Sequence, residues 1–493
     1  MILGIDLGTT ACKAVVVSEE GRVAGGGSAD YPLHVPRADW AEQDVSDVWQ
    51  GMLSATRAAL ASGGCAPATI EAIGLSGAMH SLLPLDSKGQ PLGRALTWAD
   101  QRGAPHLPGL RESLDAHAIY QRTGCPIQSL YWPCKLLWFK EQRPDVWRSV
   151  SVWASIKDYI LGQLTGRTVM EHSMASATGL LDIHSREWLS ALLDALSLPP
   201  ERLPELASTQ AVAGGLTADA AEALGLLPGT AVIAGATDGA LANLGAGAIG
   251  PGRVGLTIGT SGAVRLSSAE PRLDERERTW CYILTEDMWL VGGAINNGGI
   301  VLRWARDEFA WPDYDALMAA AGQIAPGAEG LLFLPYLAGE RSPYWNARAR
   351  GVLFGLSLHH SRAHIARALM EGVAFRLYSI FKVLEESADV TEVRATGGFT
   401  QSELWVQIVA DVLGHEIVLP DAQELSALGA SYLAMKAMGR LDNLEQTRAW
   451  AGSLRRVAPD PTHHTPYVAL FPLFEEIYWL LTDTFDSLQR FQT

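Results

Sequence analysis

The chain opens with ILGIDLGTTACKAVVV, and the later run GRVGLTIGTSGAV repeats part of that pattern. Aligned as G-x-x-x-G-T-[TS], the runs pair Gly4, Gly8, Thr9 and Thr10 with Gly255, Gly259, Thr260 and Ser261. Apolar strands ending in Gly-Thr are common, so one short match is thin support for a duplication. Its position at the start of both halves of the chain strengthens it. The first run reads as a strand, a Gly-Thr turn, a second strand over 13–17 and the turn SEEGR, which is a β-hairpin. A dinucleotide fold would place a helix directly after the glycines.

With 493 residues, 48% hydrophobic and 19% charged, the chain has material for two large domains or a few smaller ones. The formal charge of −16 argues against an extended nucleic-acid partner, which needs a basic surface for counterion release. Five scattered cysteines without CxxC spacing read as reduced core thiols. Asp6 interrupts the first apolar stretch, and no later stretch offers about twenty uninterrupted apolar residues. The expectation is a soluble cytoplasmic protein with no membrane partner.

Strands and helices alternate, so the class is α/β. SLLPLDSKGQPL reads as a second hairpin with Lys88 and Gly89 in its turn. LANLGAGAIGPGRVG, residues 241–255, is dense in glycine and precedes the second Gly-Thr run, which marks a boundary or hinge. Ile365, Leu369, Val373, Leu377, Ile380 and Leu384 fall three or four apart, as the stripe of a long packed helix. The division expected is a first domain over 1–246, a second over 252–445 and a helical extension over 446–493.

Glycine turns let backbone N–H groups gather around an anion, and adjacent hydroxyls extend such a site. Two turns facing across a cleft can hold one nucleotide's phosphates from both sides; two ordinary hairpin turns fit the same residues. Neither run is a P-loop. Asp6 lies within a strand where an ionised carboxylate needs a partner, and Thr257 stands at the matching place in the second run. A carboxylate beside phosphates implies a cation between them, and Mg²⁺ fits. Lys13 adds charge there or is a solvated hairpin lysine. In TAVIAGATDGALANLG an apolar strand runs into Asp238, at the sheet edge where α/β ligands bind. Asp238 is the candidate general base, counted with Asp6 as a candidate metal-side carboxylate, and a helix N-cap is its plain alternative. His80, in GLSGAMHSLL, either meets a substrate hydroxyl or is a satisfied core histidine. TGGFTQSELW either admits a purine or phosphate against bare glycine or turns into a helix capped by Thr400 or Ser402.

Taken together these pieces resemble the FGGY family of ATP-dependent carbohydrate kinases across nearly the whole chain. GIDLGTT, WAEQD at 40–44, GAMHSLLPLD, GATDGA, TIGTSG, LPYLAGERSPYWN, ARG at 349–351 and TGGFTQS occur in that family's order. The resemblance implies two actin-like, ribonuclease-H-like domains with ATP and sugar meeting between them. It implies Asp238 as the base and Asp6 as the magnesium-linked carboxylate. Thr9, Thr10 and Thr260 follow as phosphate contacts, with Gly398 and Ser402 near the adenosine and Gly299 lining the nucleotide site. Met79 and His80 match the substrate-side motif. Ala78-Met79-His80-Ser81 departs from the Gln-Met-His-Gly usual in xylulokinases. AMHSLLPLD, LTWADQR, SIKDYILGQLTG and SMASATGLLDI are most similar to the gluconokinase branch, which implies D-gluconate as acceptor.

A gluconate carboxylate calls for a cation or N–H donors, and Arg102, Lys157 and Arg341 are candidates, each equally able to hold a structural ion pair. An actin-like chaperone or filament protein and a non-catalytic sugar sensor are the alternatives from other classes. A homodimer stays open, since LYWPCKLLWF can line the cleft, a subunit interface or plain core.

Overall fold

A computed structural model describes residues 1–452 and 454–491. In the first half, strands β1 (Ile2–Leu7), β2 (Ala11–Val17), β3 (Val23–Asp30), β4 (Ala72–Gly77), β5 (Val212–Gly215) and β6 (Ala231–Thr237) form one sheet, ordered β5-β6-β4-β1-β2-β3. The second half supplies β7 (Arg253–Ile258), β8 (Gly262–Ser268), β9 (Trp280–Thr285), β10 (Met288–Ile295), β11 (Glu392–Thr396), β12 (Ile417–Pro420) and β13 (Leu454–Val457), ordered β9-β10-β8-β7-β11-β12-β13. In each sheet the Gly-Thr hairpin is antiparallel, its first strand lies parallel to the next two, and an antiparallel strand closes the edge. The six strands of the first sheet thus recur one for one in the second, with β9 added at the far edge. The short sequence repeat marks a duplication of whole ribonuclease-H-like lobes.

The helices that matter here are α1 (Val45–Ser62), α2 (Trp132–Gln142), α3 (Asp238–Gly245), α4 (Gly299–Glu308), α5 (Tyr314–Ala321), α6 (Arg362–Glu385), α7 (Glu403–Leu413), α8 (Leu425–Ala437) and α9 (Pro461–Leu488). The stripe expected from Ile365 to Leu384 lies on α6, a 24-residue helix that also buries Arg367, Glu371 and Arg376. The segment after residue 445, expected to be a helical extension, is mostly the helix α9 and also contains β13. This strand pairs with β12 before α9 begins, because the second lobe needs the edge strand that β5 gives the first.

Gly4 explains the first glycine of the repeat. It is the cross-strand partner of Gly74, and a Cβ on either would come within 2.0–2.1 Å of a carbonyl oxygen of α8, that of Ala427 or Ala430. Helix α8 belongs in sequence to the second lobe yet rests on the first sheet through this bare patch. It meets α3 equally closely, with Gly429 against the Leu241 carbonyl and Gly245 against that of Leu425. In return, the Asn243 side chain of α3 lies over Gly255 of the second sheet.

All five cysteines are unpaired, four of them buried. Among the described residues no helix is long and apolar enough to cross a membrane.

Candidate active site

Two cavities meet at Gly259 in the second Gly-Thr turn. The smaller, of about 240 Å³, is lined from both lobes, by Met79, His80, Tyr131 and Asp238 from the first and by Thr257, Arg265, Tyr282 and Arg341 from the second. The larger, about 760 Å³, belongs to the second lobe and is lined mainly by apolar side chains and backbone.

Asp238 is the first residue of α3, directly after β6, and Thr237 is the N-cap. The Thr237 hydroxyl bonds Ser173 Oγ at 3.1 Å, while Asp238 Oδ1 accepts from the Gly239 N–H at 2.7 Å. A Cβ on Gly239 would meet Met79 Cε at 3.0 Å and Arg265 Nε at 3.1 Å, so glycine makes room for both beside Asp238. Burial raises the Asp238 carboxyl above its ordinary range, against the lowering effect of the Gly239 N–H and Arg265.

Beyond β4 the backbone turns so that His80 adopts a φ of 66°, uncommon for a residue with a side chain. Lys135 of α2 holds it there: its Nζ donates to the carbonyls of His80 at 2.7 Å and Thr97 at 2.8 Å. His80 Nδ1 donates to the Ala177 carbonyl at 2.7 Å. Burial, reinforced by the Lys135 charge, pushes the imidazole down to about 3. The ring is therefore neutral at physiological pH, with Nε2 as an acceptor suited to a hydroxyl.

The first Gly-Thr turn is braced from behind. Tyr31 and Gln43 donate to the Gly8 carbonyl, Gln43 donates also to that of Thr9, and Trp98 Nε1 donates to Thr9 Oγ1 at 3.0 Å. Thr10 stays exposed. Lys13 faces Asp6 across the hairpin but pairs with Glu424, the residue before α8, at 2.6 Å. Asp6 accepts from Ser76 Oγ at 2.6 Å on the neighbouring strand, and Thr257 meets Thr396 at 3.0 Å in the matching place of the second lobe. Burial first, then the charge of Asp238, pushes Asp6 up to about 7. Two carboxylates in mutual repulsion fit a cation between them. No group of three or more His, Cys, Asp or Glu suited to a metal occurs among the described residues, so water and ligand oxygens would complete its shell, as is usual for Mg²⁺.

Of the residues expected around the nucleotide, Thr260, Gly299, Gly398 and Ser402 all line the larger cavity. The Gly299 N–H donates to the Gly259 carbonyl at 2.7 Å and begins α4. At Gly398 a Cβ would find nothing within 4 Å, which leaves bare backbone facing the space. Ser402 accepts from the Trp405 N–H at 3.2 Å and caps α7, so the cavity residue and the helix cap are the same side chain. Thr9, Thr10, Lys13 and Asp6 line neither cavity; they stand on the first-lobe hairpin, the threonines in its turn and Asp6 and Lys13 on its strands.

Sequence reasoning missed Arg265 and Tyr282 as cavity walls, and Lys135 as the brace of His80. Tyr131 and Leu130 of the run LYWPCKLLWF line the cavity, while Trp132 packs inward with its Nε1 on the Ser81 carbonyl. Of the three cations considered for a substrate carboxylate, two are committed elsewhere. Arg102 pairs with Asp100 and Glu42 beneath Trp40, and Lys157 with Glu171 and the Ala234 carbonyl. Arg341 alone of the three reaches the cavity.

Duplicated lobes, a cavity shared between them and an adjoining cavity edged by glycine turns define a two-lobed protein of the actin-like class with room for two ligands. The chain belongs to the FGGY family of carbohydrate kinases: residues 1–245 match the family's N-terminal domain and residues 254–438 its C-terminal domain. It is 38% identical to gluconokinase from Bacillus subtilis, an alignment covering 100% of this chain and 98% of that protein. To xylulose kinase from the same organism it is 30% identical, covering 100% and 99%. The solved structure of gluconate kinase from Lactobacillus acidophilus superposes with a TM-score of 0.94 at 33% identity, covering 99% of each chain. The protein is accordingly a carbohydrate kinase, a phosphotransferase with an alcohol acceptor.

Proposed function

We propose that this protein is a gluconokinase, which transfers the γ-phosphoryl group of ATP to the terminal hydroxyl of D-gluconate and yields 6-phospho-D-gluconate and ADP. The observation that carries the reading is the place of Asp238. It lines the cavity sized for a small polyol, and that cavity meets the larger one at the Gly259 turn. Full-length similarity to gluconokinase above that to xylulose kinase supports the choice of acceptor.

In this reading the larger cavity takes the adenosine against Gly299, Gly398 and Ser402, and the turns at Thr9, Thr10 and Thr260 offer hydroxyls and N–H groups to the phosphates. Lys13 adds positive charge once it leaves Glu424. Asp6 and Asp238 would hold Mg²⁺, which neutralises phosphate charge when bound. Met79 and His80 position the acceptor, His80 Nε2 accepting from a hydroxyl. Asp238 takes the acceptor proton as its oxygen bonds to the γ-phosphorus and the bond to the β–γ bridging oxygen breaks.

A coupled ADP-release assay with Mg-ATP tests the proposal against D-gluconate, D-xylulose, L-ribulose, glycerol and no acceptor. Gluconate is expected to dominate the panel. Asp238→Asn is expected to bind ATP normally and to lose at least about a thousandfold in kcat. Preference for a ketose overturns the substrate, and near-normal turnover by Asp238→Asn overturns the base.

A further inference from the structure

The cavity that holds Asp238 has a charge imbalance. Its lining carries one carboxylate against two guanidinium groups, those of Arg265 and Arg341, and His80 is neutral. Both guanidiniums are short of acceptors. Nε and Nη1 of Arg265 are shut off from solvent with no hydrogen-bond partner among the described residues, and so is Nε of Arg341. The other amino group of Arg341, Nη2, donates to the Ile295 carbonyl at 3.2 Å. Arg253, Arg376 and Arg448 of the same lobe also carry one buried nitrogen without a hydrogen-bond partner among the described residues, but none of them lines this cavity, and Arg367 is satisfied by Glu371 and Tyr467 at 2.6 Å each. Buried donors without acceptors cost free energy, so their persistence at a cavity wall marks them as donors for what the cavity receives.

Arg341 is also held in advance. Its own backbone N–H and that of Asn296 donate to Glu340 Oε1 at 2.8 and 3.0 Å, and the other carboxylate oxygen of Glu340 meets Arg376 at 3.2 Å, both side chains fully buried. Arg265 is anchored differently: it extends from β8, and its carbonyl accepts from Asn243 of α3, the helix that Asp238 begins. The two cations thus reach one cavity from separate rigid supports.

We infer that Arg265 and Arg341 form an anion-reading subsite that receives the carboxylate of an open-chain sugar acid and sets the preference for aldonates over neutral polyols and ketoses. The inference rests on the proposed kinase activity at this site and adds its specificity residues. A carboxylate supplies four acceptor lone pairs to the unmatched N–H groups and brings the lining to charge balance. A neutral ketose or polyol brings hydroxyls but leaves the excess charge buried.

The test compares kcat/KM for D-gluconate with D-gluconamide and D-glucitol, which keep the terminal hydroxyl and lack the charge. In the wild-type protein gluconate is expected to lead by about 100-fold or more. Arg265→Met and Arg341→Met are expected to cut that lead to below about 10-fold while ATP affinity is unchanged, with Arg341→Lys intermediate. If a methionine variant loses ATP binding, the lysine variant carries the comparison. Equal use of gluconate and gluconamide by the wild-type protein, or an equal loss of all acceptors in the variants, overturns the inference and leaves the kinase reading standing. Absence of phosphorylation of every acceptor overturns that reading itself.

Discussion

Asp6 illustrates what a single residue can disclose. A carboxylate inside an apolar strand is conspicuous in sequence because it is costly there without a partner. The structure supplies the partner's outline: Ser76 at 2.6 Å and a second carboxylate, Asp238, close enough to raise its affinity for a proton. Without ligand, Asp6 titrates at about 7 in the folded protein against an ordinary value of 3.8. The folded state then holds a proton that the unfolded state releases, so this contribution to stability is full at acid pH and is lost as pH rises from about 4 to about 7. Asp6→Asn is therefore expected to melt above the wild-type protein at pH 8 in the absence of nucleotide, with the gap closing towards pH 4. Calorimetry at the two pH values checks it, and a gap independent of pH would assign the titration to another group. Arg265 is the opposite case. One arginine in a strand resembles any exposed strand cation, and nothing local in GTSGAVRL says that its guanidinium lies beside Asp238.

Among the elements, the glycine seam around α8 sets the strictest demand. Gly74→Ala would drive a Cβ to 2.1 Å from the Ala430 carbonyl, and Gly429→Ala to 2.0 Å from that of Leu241. Backbone cannot yield there as a flexible side chain would, and each substitution is expected to cost about 2 kcal/mol or more. Gly398→Ala, whose Cβ meets nothing within 4 Å, is expected to leave stability unchanged and to weaken nucleotide binding. Denaturant titration beside nucleotide titration separates the two outcomes. Helix α6 was readable from its apolar stripe because helical periodicity is a local property. Its buried Arg376 was not, since the partner Glu340 lies 36 residues away in sequence.

For the whole molecule, the smaller cavity takes walls from both lobes, whereas the larger is built within one. Adenosine alone should therefore engage the second lobe without drawing the lobes together, whereas acceptor plus a non-hydrolysable ATP analogue, whose phosphates reach the first-lobe turn, should close them. Small-angle scattering is expected to show a smaller radius of gyration only with both ligands. An unchanged radius under all conditions would show that the cleft is already closed. The reciprocal placement of α3 and α8 offers the pivot, since each meets the opposite lobe at a glycine, α8 at Gly4 and Gly74 and α3 at Gly255.

By itself the sequence determined the α/β class, the hairpin with its Gly-Thr turn, the long helix and the places of Asp6 within its strand and Asp238 at a strand's end. These depend on periodicity, turn chemistry and the cost of a charge in an apolar strand, all local in the chain. Tertiary structure alone decided that β13 completes the second sheet, that Gly4 serves helix packing, that Arg102 and Lys157 are bound up in ion pairs and that Arg265 and Arg341 converge. Each of those depends on partners distant in sequence, and spatial proximity between distant segments is a property of the packed lobes that local pattern does not encode.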